Sequence, residues 1–371
     1  MSEEATPAEA PKGQIEFPCE KCGGIMKFAP TSQGVTCVYC GHEMKVPQSD
    51  EDVEELDLAE FMAHAQEQED MLEEALVTCS ACGAETTFDP EVRSGECPFC
   101  GTPIVAEAHT NRVIRPKSLL PFAVAKQDGL ALFKAWVRSR WFAPSKLKHA
   151  ADDASRSKLN GIYVPHWTYD ANTISHYTGE RGDDYWETQH YTTTENGKTV
   201  HKTRQVRKTR WHRVSGTVYQ VFDDILVLAS ESLPTAYAEK LEPWDLENLV
   251  PFEEKYLAGF RTERYQISLE RGFERACSVM DDAIRQSIEH DIGGDHQRIH
   301  SVRTRRQNLT FKHILLPIWI SAYRYQGKPY RFMINARTGE VQGERPWSVW
   351  KILGAVLGVV AVGVGIWYMA H

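Results

Sequence analysis

Apolar residues return along this chain with more than one period. Leu130, Phe133, Trp136, Val137 and Trp141 recur every three or four positions and predict a helix over Gln127–Trp141. Phe273, Cys277, Met280, Ile284 and Ile288 do the same over Leu269–His290, which puts the lone cysteine, Cys277, on a core face. Strands are predicted by GIYVPHWTYDANTISHYTG and SGTVYQVFDDILVLAS, and by LLPIWISAYRYQG with KPYRFMINARTGEV, where turn residues stand at Gln326-Gly327 and from Asn335 to Gly339. YWETQHYTTTENGKTVHKTRQVRKTRWHRV reads as a long hairpin turning at Asn196-Gly197. Its arms are polar on both faces, so it has little to bury and should project or pair with something else. The mixture predicts an α+β domain over residues 109–346.

Two flanking segments follow other rules. Between Val46 and Val92 there is no Lys or Arg, and Leu58, Met62, Ala65, Leu72 and Leu76 fall at helical spacing behind a cap at Ser49 or Asp50. An acidic helical linker is expected over 48–76. At the other end, ILGAVLGVVAVGVGIWYMA, Ile352–Ala370, carries no charge and as a helix would rise about 28 Å. This predicts a transmembrane helix over 350–370, with Trp347 and Trp350 at one interface, Trp367 and Tyr368 at the other, and Arg345 and Lys351 on the cytoplasmic side. A tail-anchored protein with its bulk in the cytoplasm is the expectation. Gly354 and Gly358 form a GxxxG that would allow a homodimer.

The chain has 371 residues and is 42% hydrophobic, enough to bury a core in more than one unit. Its formal charge of −9 argues against a surface built wholly for nucleic acid. Residues 1–14, acidic and rich in Ala and Pro, read as a disordered tail.

Eight of the nine cysteines stand in Cys-x-x-Cys pairs: Cys19, Cys22, Cys37 and Cys40, then Cys79, Cys82, Cys97 and Cys100, each 60 positions after its counterpart. Two such hairpin turns brought together place four sulfurs around a zinc ion, so two zinc ribbons are predicted, at 15–47 and 77–108. Glycine follows the second cysteine of every pair, at Gly23, Gly41, Gly83 and Gly101, where the turn calls for positive φ. The cofactor reading is two zinc ions as thiolate complexes in a reducing compartment. Iron, which four-sulfur sites also accept, is the alternative. Ribbon two carries one basic residue, Arg93, against Glu85, Asp89, Glu91, Glu96 and Glu107, and should repel phosphate.

The second arm of the long hairpin holds Lys198, Lys202, Arg204, Arg207, Lys208, Arg210 and Arg213 around Trp211. Three readings stand side by side: a solvated strand whose charges block edge pairing, contact with anionic headgroups, and nucleic-acid binding. HDIGGDHQRIH offers His290, Asp291, Asp295, His296 and His300 as ligand types for a further metal. No nucleophile elbow, Walker motif, zincin or paired-carboxylate pattern appears, so no catalytic residue is assigned and the chain is read as not an enzyme.

The motifs GIYVPHWTYDA, YTGERGDDYW, EPWDLENLVPF, DIGGDHQRIHS and NARTGEVQGERPWS, with the ribbons and tail, resemble the bacterial TFIIB-type zinc ribbon-containing proteins. Members are often labelled primosomal protein N′, a superfamily II helicase, yet this chain has no Walker A and no DExx box. The resemblance implies the ligands of each ribbon, attachment at the inner membrane and nothing catalytic. The expected function is a membrane-anchored noncatalytic adaptor acting through protein contacts. The alternative is an accessory nucleic-acid-binding protein that uses the basic hairpin, residues 198–213.

Overall fold

The computed structural model describes residues 17–46, 53–64, 71–81, 83–87, 94–97, 99, 102–105, 109–141, 159–195, 198–325, 328–344 and 348–370. Short strands come first. Phe17–Pro18 (β1), Ile25–Ala29 (β2), Gly34–Cys37 (β3) and Glu43–Lys45 (β4) pair in that order as an antiparallel ribbon. Leu56–Asp57 (β5) leads into the helix Leu58–His64 (α1). Met71–Thr78 (β6) then lies between Glu85–Thr87 (β7) and His109–Ile114 (β10), while Ser94–Glu96 (β8) pairs with Pro103–Val105 (β9). Of the helix expected through the acidic linker, over 48–76, the described residues form only Leu58–His64, while 48–52 and 65–70 lie outside them. Further on, β6 pairs residue for residue with β10 from Met71 to Leu76, and sheet pairing overrides the local period.

The rest is organised by three long strands. Ser118–Leu119 (β11) and helix Lys126–Ser139 (α2) precede Asn160–Glu195 (β12) and Lys198–Leu228 (β13). Thr235–Ala238 (α3), Val250–Pro251 (β14), Arg261–Thr262 (β15) and the helix Leu269–Ile292 (α4) follow. His296–Tyr325 (β16), Lys328–Asn335 (β17), Val341–Gly343 (β18) and the helix Val349–Ala370 (α5) complete the chain. β12 is central, antiparallel to β13 on one side and to β16 on the other. Both expected hairpins form. The turn residues 196–197 and 326–327 lie outside the described residues, and the pairs Glu195↔Lys198 and Tyr325↔Lys328 close over them.

The expected α+β class is corrected: the protein is mostly β, because segments of 36, 31 and 30 residues are each one strand of the same sheet. A second correction concerns the C-terminal helix. Among the described residues no helix is long and apolar enough to cross a membrane. The expected single-pass anchor, the tail-anchored topology at the inner membrane and the membrane as a partner are withdrawn with it. α5 exposes Leu353, Val356, Leu357 and Val359, with open space around Gly354 and Gly358.

Burial along β12 explains how the body is built. From Gly161 to Tyr169 every residue is buried, so both faces of the sheet are covered. Alternation assigns the covers. Tyr163, Trp319, Phe332 and Ile334 face one way and pack with Phe122, Phe133, Phe260 and ribbon one's Met26, Phe28 and Val35. Ile162, Val164, Ile318, Ile320 and Met333 face the other way and pack with Val77, Cys79, Ala84, Cys97 and Phe99 of the second cysteine unit. The two cysteine units therefore clasp one sheet from opposite faces.

α4 covers the next stretch. Ser268 caps it by accepting the Arg271 amide, and Gly293 (φ 64) ends it. Its buried stripe is Leu269, Gly272, Ala276, Met280, Ile284, Ile288 and Ile292. Phe273 and Cys277, expected on that stripe, are only half-buried. The sheet presents Trp167 and Tyr169 there, so the helix needs small residues: a Cβ at Gly272 would lie 2.8 Å from Trp167 Cδ1. β16 begins opposite Gly182. Beyond that point β12 and β13 run on alone as a two-stranded arm of about 40 Å.

Candidate metal centre

Each half of the first cysteine unit is a backbone turn wrapped around sulfur. The Cys19 amide donates to Gly24 O (2.6 Å) and the Gly23 amide to Cys19 O (2.8 Å); the Cys37 amide donates to His42 O (2.8 Å) and the Gly41 amide to Cys37 O (3.1 Å). Gly23 (φ 72) and Gly41 (φ 69) close these turns in the left-handed region, where a Cβ is strained. The turns bring Cys19 Sγ to 3.8 Å from Cys40 Sγ and Cys22 Sγ to 3.5 Å from Cys37 Sγ. Four sulfurs at ~2.3 Å around a tetrahedral zinc would stand ~3.8 Å apart. Cys19, Cys22, Cys37 and Cys40 thus form one cluster that could hold one zinc ion.

The cluster straddles the core boundary. Cys19 and Cys37 are buried among Met26, Phe28 and Val35, while Cys22 and Cys40 are exposed. Its electrostatics also suit a cation. The Cys40 amide, against the opposing effect of burial and with help from the Tyr39 amide, holds the Cys37 thiol down at about 6. The Gly24 amide lowers the Cys22 thiol, but the sulfurs of Cys40 and Cys37 outweigh it and push that group up to about 12. One thiolate shared among donating thiols is what such a set does by itself, and a divalent ion relieves the contest by ionising all four.

The second unit repeats the backbone signature. The Cys79 amide donates to Ala84 O (2.8 Å), the Gly83 amide to Cys79 O (2.8 Å) and the Cys97 amide to Thr102 O (2.8 Å), with Gly83 at φ 75. Cys79 and Cys97 are buried like Cys19 and Cys37. Cys82, Cys100 and Gly101 lie outside the described residues.

The other candidate ligands are not brought together. Asp291 accepts the Tyr177 hydroxyl (2.6 Å), Asp295 accepts the Asp184 amide (2.8 Å), His296 meets Asp184 (3.1 Å) and His300 meets Glu180 (3.6 Å). The basic hairpin is largely satisfied within itself. Arg207 pairs with Asp184 and Lys208 with Glu187, while Arg204 and Arg210 lie over the rings of Tyr191 and Tyr185.

Sequence reasoning missed one polar cluster. Where β12 bulges between Tyr169 and Ala171, Asp170, Asp223 and Asp224 converge, with Asp224 at φ 53. Lys312, buried on β16, reaches Asp224 (2.8 Å) and Glu55 (3.0 Å), so an ammonium already meets the charge a cation would. Burial pushes the Asp170 carboxyl up to about 6, against the Asp224 amide and Lys312 that favour its ionised form. The cluster ties the segment around β5 to the sheet. Residues 55, 170, 224 and 312 are so scattered that no spacing announces them.

No protein-family model matches the chain, and no solved structure matches it. It is similar to the uncharacterized protein YdjG of Bacillus subtilis (strain 168), 25% identical over 348 residues, which cover 93% of this chain and 94% of that one.

Proposed function

We propose that this protein is a noncatalytic adaptor in which two zinc ions brace a β body so that it can hold out its two-stranded arm to a protein partner. The observation that carries the reading is the change along β12. Its base is clasped by both cysteine units, and past Gly182 it continues with β13 alone, exposing Trp186 and Tyr191. A two-stranded ribbon keeps an unpaired row of backbone groups on each edge, and an extended partner segment can add to either.

One zinc is held by Cys19, Cys22, Cys37 and Cys40. The second falls to Cys79, Cys82, Cys97 and Cys100, a reading supported by the repeated amide pattern around Cys79 and Cys97. The metals lock the knuckles; they meet no substrate. This geometry also supports the likeness to TFIIB-type ribbons drawn from the motifs. Nucleic acid is the weaker reading, since the arm's cations are spent on Asp184, Glu187 and tyrosine rings, leaving less charge to release counterions from phosphate.

The test is to replace residues 187–206 by a two-residue turn in the full chain and compare proteins captured by in-cell crosslinking. The partner set should be lost while bound zinc stays at two per chain. Retention of the same partners would sink the arm as the docking element. Salt-sensitive retention of DNA or RNA by the intact chain, abolished by the deletion, would favour the nucleic-acid reading.

A further inference from the structure

β13 is the outermost strand of the large sheet, and among the described residues it pairs with β12 alone. Residues 198–213 of its free edge are guarded as solvated edges are, by seven cations. The opposite edge of this part of the sheet, residues 296–309 of β16, is guarded in the same way by Arg298, Arg303, Arg305 and Arg306. Residues 214–222 of β13, VSGTVYQVF, break the rule: they hold no charge and no proline. On one face Val214, Val218 and Phe222 pack in the core beneath α4, which fixes the strand in place. On the other face Tyr219 is 72% and Val221 78% exposed. An uncharged, apolar edge already held in strand form is a template for another strand.

The ends of the stretch select the strand that fits. Arg213 precedes it and Asp223 follows it; both are exposed, and neither forms an ion pair with another described residue. Glu180, opposite Arg213 on β12, is taken up by Arg298 and His300, and Lys312 by Asp224 and Glu55. A second copy laid antiparallel about a two-fold axis at Val218 sets Arg213 of each chain against Asp223 of the other. Moving the axis to Thr217 or Tyr219 sets Arg213 against Val221 or Ile225, and moving it to Thr209 sets Arg210 against Lys208. The axis at Val218 alone joins the uncharged stretch to two ion pairs.

We propose that residues 214–222 of β13 form a self-association edge, along which a second copy of this chain pairs antiparallel about Val218. Tyr219 and Val221 then lie across from Thr217 and Ser215 of the other chain and come out of water. The interface is isologous, so it closes at two copies and does not propagate. The bulge that begins at Asp223 bends the strand away and confines the pairing to this stretch. The stretch lies at the root of the arm, outside residues 187–206, so the proposal goes beyond the adaptor reading and stands without it.

The test is sedimentation velocity of the zinc-loaded full chain from about 1 to about 100 µM, where a reversible monomer–dimer equilibrium is expected. Arg213→Asp and Asp223→Arg should each weaken the dimer at least about tenfold, since each sets like charges against one another twice. The double variant should recover to within about threefold of the parent, and so should an equimolar mixture of the two single variants, because opposite charges meet again in both. Val221→Lys guards the edge and should weaken the dimer about tenfold or more. All three side chains are exposed, so each variant should keep the parent's melting temperature and zinc content. A parent chain that stays monomeric at about 100 µM overturns the proposal, as does a dimer indifferent to all three single variants. Charge variants that weaken the dimer without recovery in the double variant or the mixture overturn the axis at Val218. Replacing residues 187–206 should leave the dimer intact, which separates failure here from failure of the adaptor reading; loss of the dimer on that replacement would place the contact in the arm and overturn the proposal.

Discussion

Two stretches of one strand behave as if they belonged to different proteins. Asn160–Tyr169 of β12 is covered first by the two cysteine units and then by α4, and Ile162, Tyr163, Val164, Trp167 and Tyr169 are essentially inaccessible. Among the described residues, 183–195 of the same strand pair in the sheet with β13 alone, and Trp186 is 68% exposed. Backbone pairing is continuous through both. What differs is the cover on the faces, so the sheet's stability should reside in the base, while the arm persists because the base holds its register.

The largest effect should come from removing the clasp. Ribbon one has few apolar residues of its own, and its Phe28 packs on Tyr256 and Phe260 of the body, so metal loss should loosen both together. Chelation, or Cys37→Ser, should lower the melting temperature by more than ~10 °C, followed by near-UV circular dichroism and zinc analysis. If the ribbon melts alone while the body keeps its transition, the two do not share a core and the clasp is only an appendage.

Next comes the packing beneath α4. Trp167 is fully buried, donates its indole N–H to Ile267 O (2.9 Å) and touches Gly272. Trp167→Ala should cost about 3–5 kcal/mol in a urea titration, with the lost hydrogen bond added to the cavity. A loss below about 1 kcal/mol would mean that the base is not where stability resides.

A third, pH-dependent effect sits beside the second cysteine unit. Glu263 is buried with Ser230 as donor (2.8 Å), and burial raises its carboxyl to about 8. A raised carboxyl binds its proton more tightly in the folded chain. Its contribution is therefore complete below the unfolded value of ~4.5 and is lost as pH climbs through about 8, by ~1.4 kcal/mol per pH unit in between. Glu263→Gln removes that dependence. The variant should match the parent near pH 5 and exceed it by a few kcal/mol at pH 8.5; equal stabilities at both values would show that Glu263 finds a cation or water on unfolding of the nearby loop alone.

Much of this division was legible in the sequence, and for a physical reason in each case. Both long hairpins, α2 and α4 follow from short-range periodicity and turn residues, and the first metal cluster follows from cysteine spacing that leaves few other geometries. Three things were not. The strand Met71–Thr78 takes its conformation from a partner more than thirty positions away, which a helical count over Leu72 and Leu76 cannot register. The small-residue face of α4 is dictated by Trp167 and Tyr169, whose position belongs to the tertiary fold. The C-terminal helix was legible as a helix from its composition alone, and composition says nothing of what covers its exposed side chains.

The smallest effect expected is on the arm, and it sharpens the contrast most. Trp186 is as large as Trp167 and as aromatic, but its surface is mostly in water already, so truncating it gives up little burial. Trp186→Ala should change unfolding free energy by no more than about 0.5 kcal/mol, against the several expected at Trp167. If the adaptor reading holds, the same substitution should reduce partner capture severalfold, since exposed aromatics at the centre of a docking surface contribute out of proportion to their number. The pair of measurements, urea unfolding and crosslinked yield on Trp167→Ala and Trp186→Ala, should therefore cross over. A Trp186 variant that loses stability and keeps its partners would reverse the assignment, making the arm part of the structural core and leaving the docking surface to be sought on the ribbons that clasp the base.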